Sequence, residues 1–398
     1  MNKLRAFYDK PSTKSVIASL ISVFLGLLFG SLLVLIVSFA SKDISFKSGI
    51  EGVKLVLFGI FCKGREAGNL VFGFNPQYLG DLLFRATPLV LTGLSVAVAF
   101  KTGLFNIGAP GQYLMSTAAT LYIALSIPAE AVPVGIIWCL AFLGGILAGA
   151  LWGAIPGFLK ATLNINEVIA CIMTNWMAAN IVTWFFENSP LRNASEASGG
   201  KIGYIKKTVD NGVATPKLGL DKIFPGSQVN AGILIAIVIA VIVYVVMTKT
   251  TFGYQLKSCG SNRFAAKYAG IADKRNIVLS MAIAGGLSGA AAALYYLSGN
   301  TEFFWSTYQS LPAVGFNGIP VALLAANHPI GVIFAGVFMS ALNISGTALK
   351  YLTPFNAYIT YIIIASIVYL SAASLMIKMW LSKKKKVETK TEKKEDVA

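Results

Sequence analysis

The chain has 398 residues, 56% hydrophobic and 13% charged, with a mean hydropathy of +0.69. Soluble domains carry about twice that charge fraction, and several charge-free runs here exceed the ~18 residues that cross a bilayer. A soluble globular enzyme is excluded, and an all-α integral membrane protein is predicted. The net charge of +16 gathers in loops and tails beside apolar runs, where it orients the chain in the membrane rather than binding nucleic acid. Cys62, Cys139, Cys171 and Cys259 stand singly and His328 is the sole histidine, so no disulfide framework, metal site or cofactor is predicted.

In chain order, residues 1–15 hold Lys3, Arg5, Lys10 and Lys14 against Asp9, and Lys383 to Lys386 sit in a charged tail, 378–398. Both termini are therefore expected in the cytoplasm, which requires an even number of crossings. The domain between them, 16–377, contains apolar segments near 16–40, 86–101, 109–127, 132–155, 167–186, 229–248, 277–298, 311–326, 329–349 and 355–377. That predicts about ten transmembrane helices. The second and eighth are short, and the charge-free stretch 303–349 holds Pro312, Pro320 and Pro329, so some helices should be broken. Residues 41–85 and 187–228 become outer segments. The latter is rich in Gly, Ser, Asn and Pro and reads as an exposed loop, either meeting an external partner or meeting nothing; it includes a formal sequon at Asn193 to Ser195.

The segment 249–276 lies on the cytoplasmic side by this count. It carries Lys249, Lys257, Arg263, Lys267, Lys274 and Arg275 against Asp273 alone. Ser261 or Asn262 can cap a helix start and Gly270 can end it, which predicts a short helix over 263–269. At helical spacing Phe264 and Tyr268 share one stripe and Arg263 and Lys267 the next. One reading is a topology signal; the other is a docking helix for a partner protein. A weak internal echo, Phe105-Asn106-Ile107-Gly108 against Phe316-Asn317-Gly318-Ile319, falls five spans apart on opposite entries, as a five-plus-five inverted repeat would place it.

No Ser/His/acid set or paired carboxylates can be assembled, and Gly200-Lys201 lacks the rest of a phosphate-binding loop. The chain is expected not to be an enzyme; any ATP is handled by another chain. Polar groups inside apolar spans are costly unless they face a partner or a wet cavity. They cluster as Asn166, Glu167, Thr174, Asn175 and Asn180 beside Trp176 and Trp184, with Asn106, Gln112, Asn317, Asn343 and Asn356 elsewhere. Neutral amides next to aromatics suit an uncharged ring-bearing ligand; the plain alternative is interhelical hydrogen bonding. A secondary carrier would need coupling carboxylates within spans, and Glu167 is the sole candidate.

Four stretches resemble the permease subunits of ABC importers for nucleosides and simple sugars. Phe100 to Gln112, FKTGLFNIGAPGQ, is similar to that family's AF-x-x-G-x-FNIGAEGQ, with Pro110 in place of the acid. Asn166-Glu167-Val168-Ile169 resembles its NEV-I segment, and Gly260 to Ile271 its GSN-x-x-AA-x-YAGI loop. Gly315 to Leu324 with Asn327-His328-Pro329 resembles GFDGIAVALL-x-x-NHP, with Asn317 replacing an acid. The resemblance implies a plasma-membrane importer subunit with two ATP-binding subunits, a second related permease in a heterodimer, an external substrate-binding lipoprotein and surrounding lipid. It implies that Phe264 and Tyr268 fill an ATPase groove oriented by Arg263 and Lys267. It further implies nucleosides such as guanosine as the solute, in agreement with the amide and aromatic residues of the spans, so the path is expected to pass Asn106, Asn166, Glu167, Asn175, Trp176, Asn180, Phe316 and Asn317. Ribose-like sugars and branched-chain amino acids are the alternatives within the class.

Overall fold

A computed structural model describes residues 11–41, 44–193, 203–305, 310–356 and 358–372. Its elements in chain order are α1 (Pro11–Ala40), α2 (Phe46–Phe58), β1 (Cys62–Glu66), β2 (Asn69–Phe72), α3 (Pro76–Lys101), α4 (Ala109–Ser126), α5 (Val134–Leu163) and α6 (Glu167–Glu187). There follow α7 (Leu220–Ile223), α8 (Gly232–Lys249), α9 (Thr251–Ser261), α10 (Arg263–Tyr268), α11 (Asp273–Tyr296), α12 (Ala313–Leu324), α13 (Pro329–Leu352) and α14 (Tyr358–Ala372). Among the described residues, seven stretches are long and apolar enough to cross a membrane: Leu20–Ala40 of α1, and α3, α5, α6, α8, α11 and α13. The fold is that of an all-α membrane protein. The basic tail 378–398 and the first ten residues lie outside the described residues.

Three sequence expectations are corrected. The second span starts at Pro76 rather than residue 86: a charge-free criterion stops at Arg85, but the helix tolerates Asp81 and Arg85 in its opening turns, and Asp81 Oδ1 accepts from the Gln228 N–H at 2.9 Å. Residues 44–75, expected as part of an outer segment of an all-α protein, contain α2 and an antiparallel β1–β2 hairpin, a short departure from the all-α reading. The described part of 187–228 is pinned rather than floppy. Asn211 Nδ2 donates to the Ala124 and Ile127 carbonyls at 2.8 Å, the Thr215 N–H donates to Leu297 O at 2.7 Å, and Ile205 and Val213 are fully buried. The sequon serine lies outside the described residues.

The chain forms two compact units. The larger, residues 76–322 and 327–340, is organised on α11. Gly285 and Gly289 on α11 face Gly145, Gly149 and Gly153 on α5, so closely that a Cβ on Gly153 would lie 2.5 Å from Met281 O and 3.0 Å from Gly285 Cα. In lipid, where burying apolar surface gains little, such small-residue contact is what holds helices together. α4 packs against this pair and buries Gln112, Ser116, Thr117 and Thr120, polar content that dilutes its hydropathy. α12 is only 12 residues long and holds Pro320; at 1.5 Å per residue it covers about 18 Å, too little to span. It ends at a break where Ala326 and Asn327 have positive φ, and α13 restarts at Pro329, a favoured first-turn position for proline. The prolines thus mark a broken stretch, as the sequence predicts.

The smaller unit comprises the described residues within 11–75, 323–326 and 341–372. In it Gly26 and Gly30 of α1 lie against Ile367 and Ile363 of α14, and α2 packs on α1.

Candidate functional site

Between α3 and α4 the chain leaves helical geometry, and the segment resembling FNIGAEGQ becomes a buried hydrogen-bonded knot. Asn106 Nδ2 donates to Ser95 Oγ at 3.0 Å and to Gln112 Oε1 at 2.8 Å. Its Oδ1 accepts from the Gly108 N–H at 3.1 Å and from Gln112 Nε2 at 3.0 Å. Those four bonds saturate the amide. Ser288 Oγ of α11 reaches Ser95 Oγ at 2.9 Å, so the knot ties α3, α4 and α11. Asn175 joins α6 to it: Oδ1 accepts from the Gly111 N–H at 2.8 Å and Nδ2 donates to Ile107 O at 3.0 Å. Gly111 has no room for a side chain, because a Cβ would stand 2.8 Å from Asn175 Cα. Asn106 and Asn175 are thus interior groups whose amides hold helices together. Ser95 and Ser288, which complete the knot, carry no sequence signal beyond being hydroxyls in apolar helices.

The other residues read as lining a path are not brought into one patch with these two. Asn166 caps α6, its Oδ1 accepting from the Val168 N–H at 2.8 Å, a contribution of about 1 kcal/mol. Glu167 is ion-paired with Lys160 at 2.9 Å. Trp176 and Asn180 lie on the face of α6 opposite Asn175: Ala170, Cys171, Thr174, Asn175, Ala178 and Val182 are buried, whereas Met173, Trp176, Met177, Asn180 and Trp184 are exposed. Asn180 Nδ2 donates to Trp176 O at 2.8 Å, which leaves its Oδ1 available. Phe316 and Asn317 are half-buried on α12, whose Gly315 faces Pro110, with a built Cβ 2.6 Å from Pro110 Cα. The residue before the second half of the internal echo therefore lies against one just after the first.

At the opposite kind of site, the basic segment forms two helices rather than one. Thr250 caps α9, its Oγ1 accepting from the Gly253 N–H at 3.1 Å. Asn262 caps α10, its Oδ1 accepting from the Ala265 N–H at 3.0 Å. The chain leaves α10 through Gly270 at φ +78°, a conformation that suits glycine. α10 buries Ala266 and turns Phe264 (77% exposed) and Tyr268 (94% exposed) outward. Lys267 is exposed beside them. Arg263 is not free in the same way, since its Nε is 2.6 Å from Asp273 Oδ2 at the start of α11. The base of the knob is seated on the α3–α4 turn, because a Cβ on Gly260 would stand 2.5 Å from Lys101 O and 2.7 Å from the Gly103 nitrogen. Two solvent-facing aromatics on a capped helix, ringed by cations, form a surface suited to a protein groove. Nearby, partial burial and then the charge of Lys101 hold the His328 imidazole below its ordinary value of 6.5.

Residues 78–372 match the family model described as branched-chain amino acid transport system, permease component. The chain belongs to this permease family. Among curated relatives of the family, the guanosine ABC transporter permease protein NupP of Bacillus subtilis is 32% identical over 371 residues, 93% of this chain and 97% of that protein. The nucleoside ABC transporter permease protein NupB of Lactococcus lactis is 33% identical over 339 residues, 80% and 90% of the two chains. The glucose ABC transporter permease protein TsgB13 of Haloferax volcanii is 31% identical, covering 76% and 78%. The matched region takes in the knot, the exposed face of α6 and the α10 knob alike.

Proposed function

We propose that this permease is the transmembrane subunit of an ATP-driven importer that moves nucleosides. The observation that carries the reading is its likeness, over nearly the whole of both chains, to a guanosine permease and a nucleoside permease. The α10 knob supports the ATP-driven part: its exposed Phe264 and Tyr268, with Lys267 alongside, dock in an ATP-binding subunit, and Arg263 fixes the knob to α11 through Asp273. The exposed stripe of α6 supports the substrate class. Trp176 and Trp184 offer flat faces to a base, and Asn180 offers an unsatisfied acceptor, with Asn317 as a second neutral amide on α12. The stripe carries no guanidinium, and its one carboxylate, Glu187, stands at the last residue of α6, so the middle of the stripe does not select a charged substrate. The pairing of Glu167 with Lys160 speaks against a carrier coupled through that carboxylate.

The remaining parts of the reading follow. The seven long helices with α4, α14 and the partial helix α12 make ten apolar segments; both termini are read as cytoplasmic from their basic residues, with the domain bounded by 16–377 and the charged tail beyond. An inverted five-plus-five repeat rests on the sequence echo, 105–108 against 316–319, whose flanking residues Pro110 and Gly315 lie side by side. A second related permease completes a heterodimer, and an external lipoprotein delivers the substrate.

Uptake of labelled guanosine, ribose and leucine in cells lacking this chain is the test. Guanosine uptake should vanish and return with the restored gene. Unchanged guanosine uptake together with lost ribose or leucine uptake overturns the substrate; no change in any of the three overturns the importer.

A further inference from the structure

The smaller unit contains an open cleft of about 400 Å³ lined by Phe46, Lys47, Ile50, Glu51, Lys54, Asn69 and Leu70, which none of the transport argument uses. Its position relative to the membrane can be read from α1. A Cβ on Gly49 of α2 would lie 2.7 Å from Ser38 Oγ, and one on Gly52 would lie 2.8 Å from Val34 Cγ1. Three residues forward on α2 move the contact four residues back on α1, so α2 runs antiparallel to α1. α1 is a membrane-crossing stretch ending at Ala40. Lys47 therefore sits level with the end of the span, and Lys54, seven residues on, lies about 10 Å deeper along the helix. That is the depth from headgroup to upper acyl chain.

The cleft's chemistry is divided. At its base Glu51 is paired with Arg65, whose guanidinium also donates to Leu352 O at 2.9 and 3.1 Å. The acid is thereby neutralised. At the rim Lys47 meets only the Asn69 amide oxygen, at 3.4 Å, and among the described residues neither Lys47 nor Lys54 has an acidic partner. Phe46 and Ile50 on the same helix are exposed apolar walls. An ammonium at headgroup depth on Lys47, a second on Lys54 rooted deeper and long enough to reach back up toward it, and an apolar wall between them match an amphiphilic anion, with the phosphate on the lysines and the acyl chain along Phe46 and Ile50.

We propose that this cleft binds the phosphate of an anionic phospholipid in the leaflet at the C-terminal end of α1. The site is independent of which solute the permease moves. It anchors the α2–hairpin segment to the bilayer surface, with Lys54 extending upward to share the phosphate held by Lys47.

The experiment is native mass spectrometry of the full-length chain released from detergent, titrated with phosphatidylglycerol and, separately, with phosphatidylcholine of the same acyl chains. Lys47→Gln with Lys54→Gln should weaken phosphatidylglycerol retention by roughly thirtyfold, in line with the contribution of two surface lysines, while phosphatidylcholine retention stays unchanged. Lys47→Arg with Lys54→Arg should restore it. The control pair Lys217→Gln with Lys222→Gln, exposed lysines of another segment, should leave it intact. Equal retention by the Gln pair, or equal loss in the control pair, overturns the site. Displacement of bound lipid by millimolar glycerol 3-phosphate overturns the lipid assignment in favour of a soluble anion.

Discussion

Around Gly111 the polar side chains turn inward: Asn106 has all four positions of its amide filled, and Asn175 spends its carbonyl on one backbone N–H and its amine on one backbone carbonyl. Around Asn262 a single amide closes the helix cap, and the large side chains that follow, Phe264 and Tyr268, stand in the open. In the sequence both segments are short motifs of Gly, Asn and aromatics between apolar runs. The first is interior architecture and the second is a surface. Substitutions in the knot should therefore act on folding, and substitutions on the knob should act on assembly.

The sharpest break of this contrast is Gly111→Val. The new side chain meets the Asn175 backbone, which cannot move aside, and the Gly111–Asn175 bond is lost; overpacking and an orphaned donor together cost about 3 to 5 kcal/mol. The chain should fail to accumulate in membranes, measured by fluorescence of a C-terminal fusion. Asn175→Ala comes next, leaving the Gly111 N–H and the Ile107 carbonyl buried without partners, at about 2 to 4 kcal/mol, seen as a lower midpoint in detergent thermal melts. Asn262→Ala removes only the cap of a six-residue surface helix, about 1 kcal/mol, and should loosen the knob without unfolding the bundle, detectable as faster amide exchange over 263–268.

Phe264→Ala with Tyr268→Ala should shift the melting midpoint least among these, within about 0.5 kcal/mol, as befits exposed positions. Yet co-purification of an ATP-binding subunit and solute uptake should both be lost. A variant that melts normally and still retains the ATPase would refute the docking role. The smallest effect belongs to His328. Its Nδ1 accepts from the Gly331 N–H at 3.4 Å, and the folded chain holds its proton less well than the unfolded chain does. Stability should therefore decline slightly as pH falls from the ordinary value of 6.5 through the lower folded value, and His328→Asn should flatten that slope.

Much of this contrast is legible in the residues themselves. Asn262 and Gly270 announce α10 because cap and exit use local chemistry, and the prolines at 320 and 329 announce the break before α13. The start of α3 is not legible, since Asp81 finds its hydrogen-bond partner at Gln228, far along the chain. The rotation of α6 is equally hidden: Asn175, Trp176 and Asn180 are close in sequence, and only the packing of Ala170, Cys171 and Thr174 against neighbours decides that Asn175 turns in and the other two turn out. The α2–hairpin segment escapes a span-based reading because its apolar face is short and interrupted by charges, Lys47, Glu51 and Lys54, of which, among the described residues, only Glu51 is paired, with Arg65.

The glycine seam between α5 and α11 has a mechanical consequence. Side chains act as springs between helices, absorbing small displacements by changing rotamer; at Gly149, Gly153, Gly285 and Gly289 there are none to yield, and backbone rests on backbone. α11 begins at Asp273, the residue clamped by Arg263 of the knob. If α10 takes a push from a docked partner, that push meets two helices whose backbones rest directly on one another.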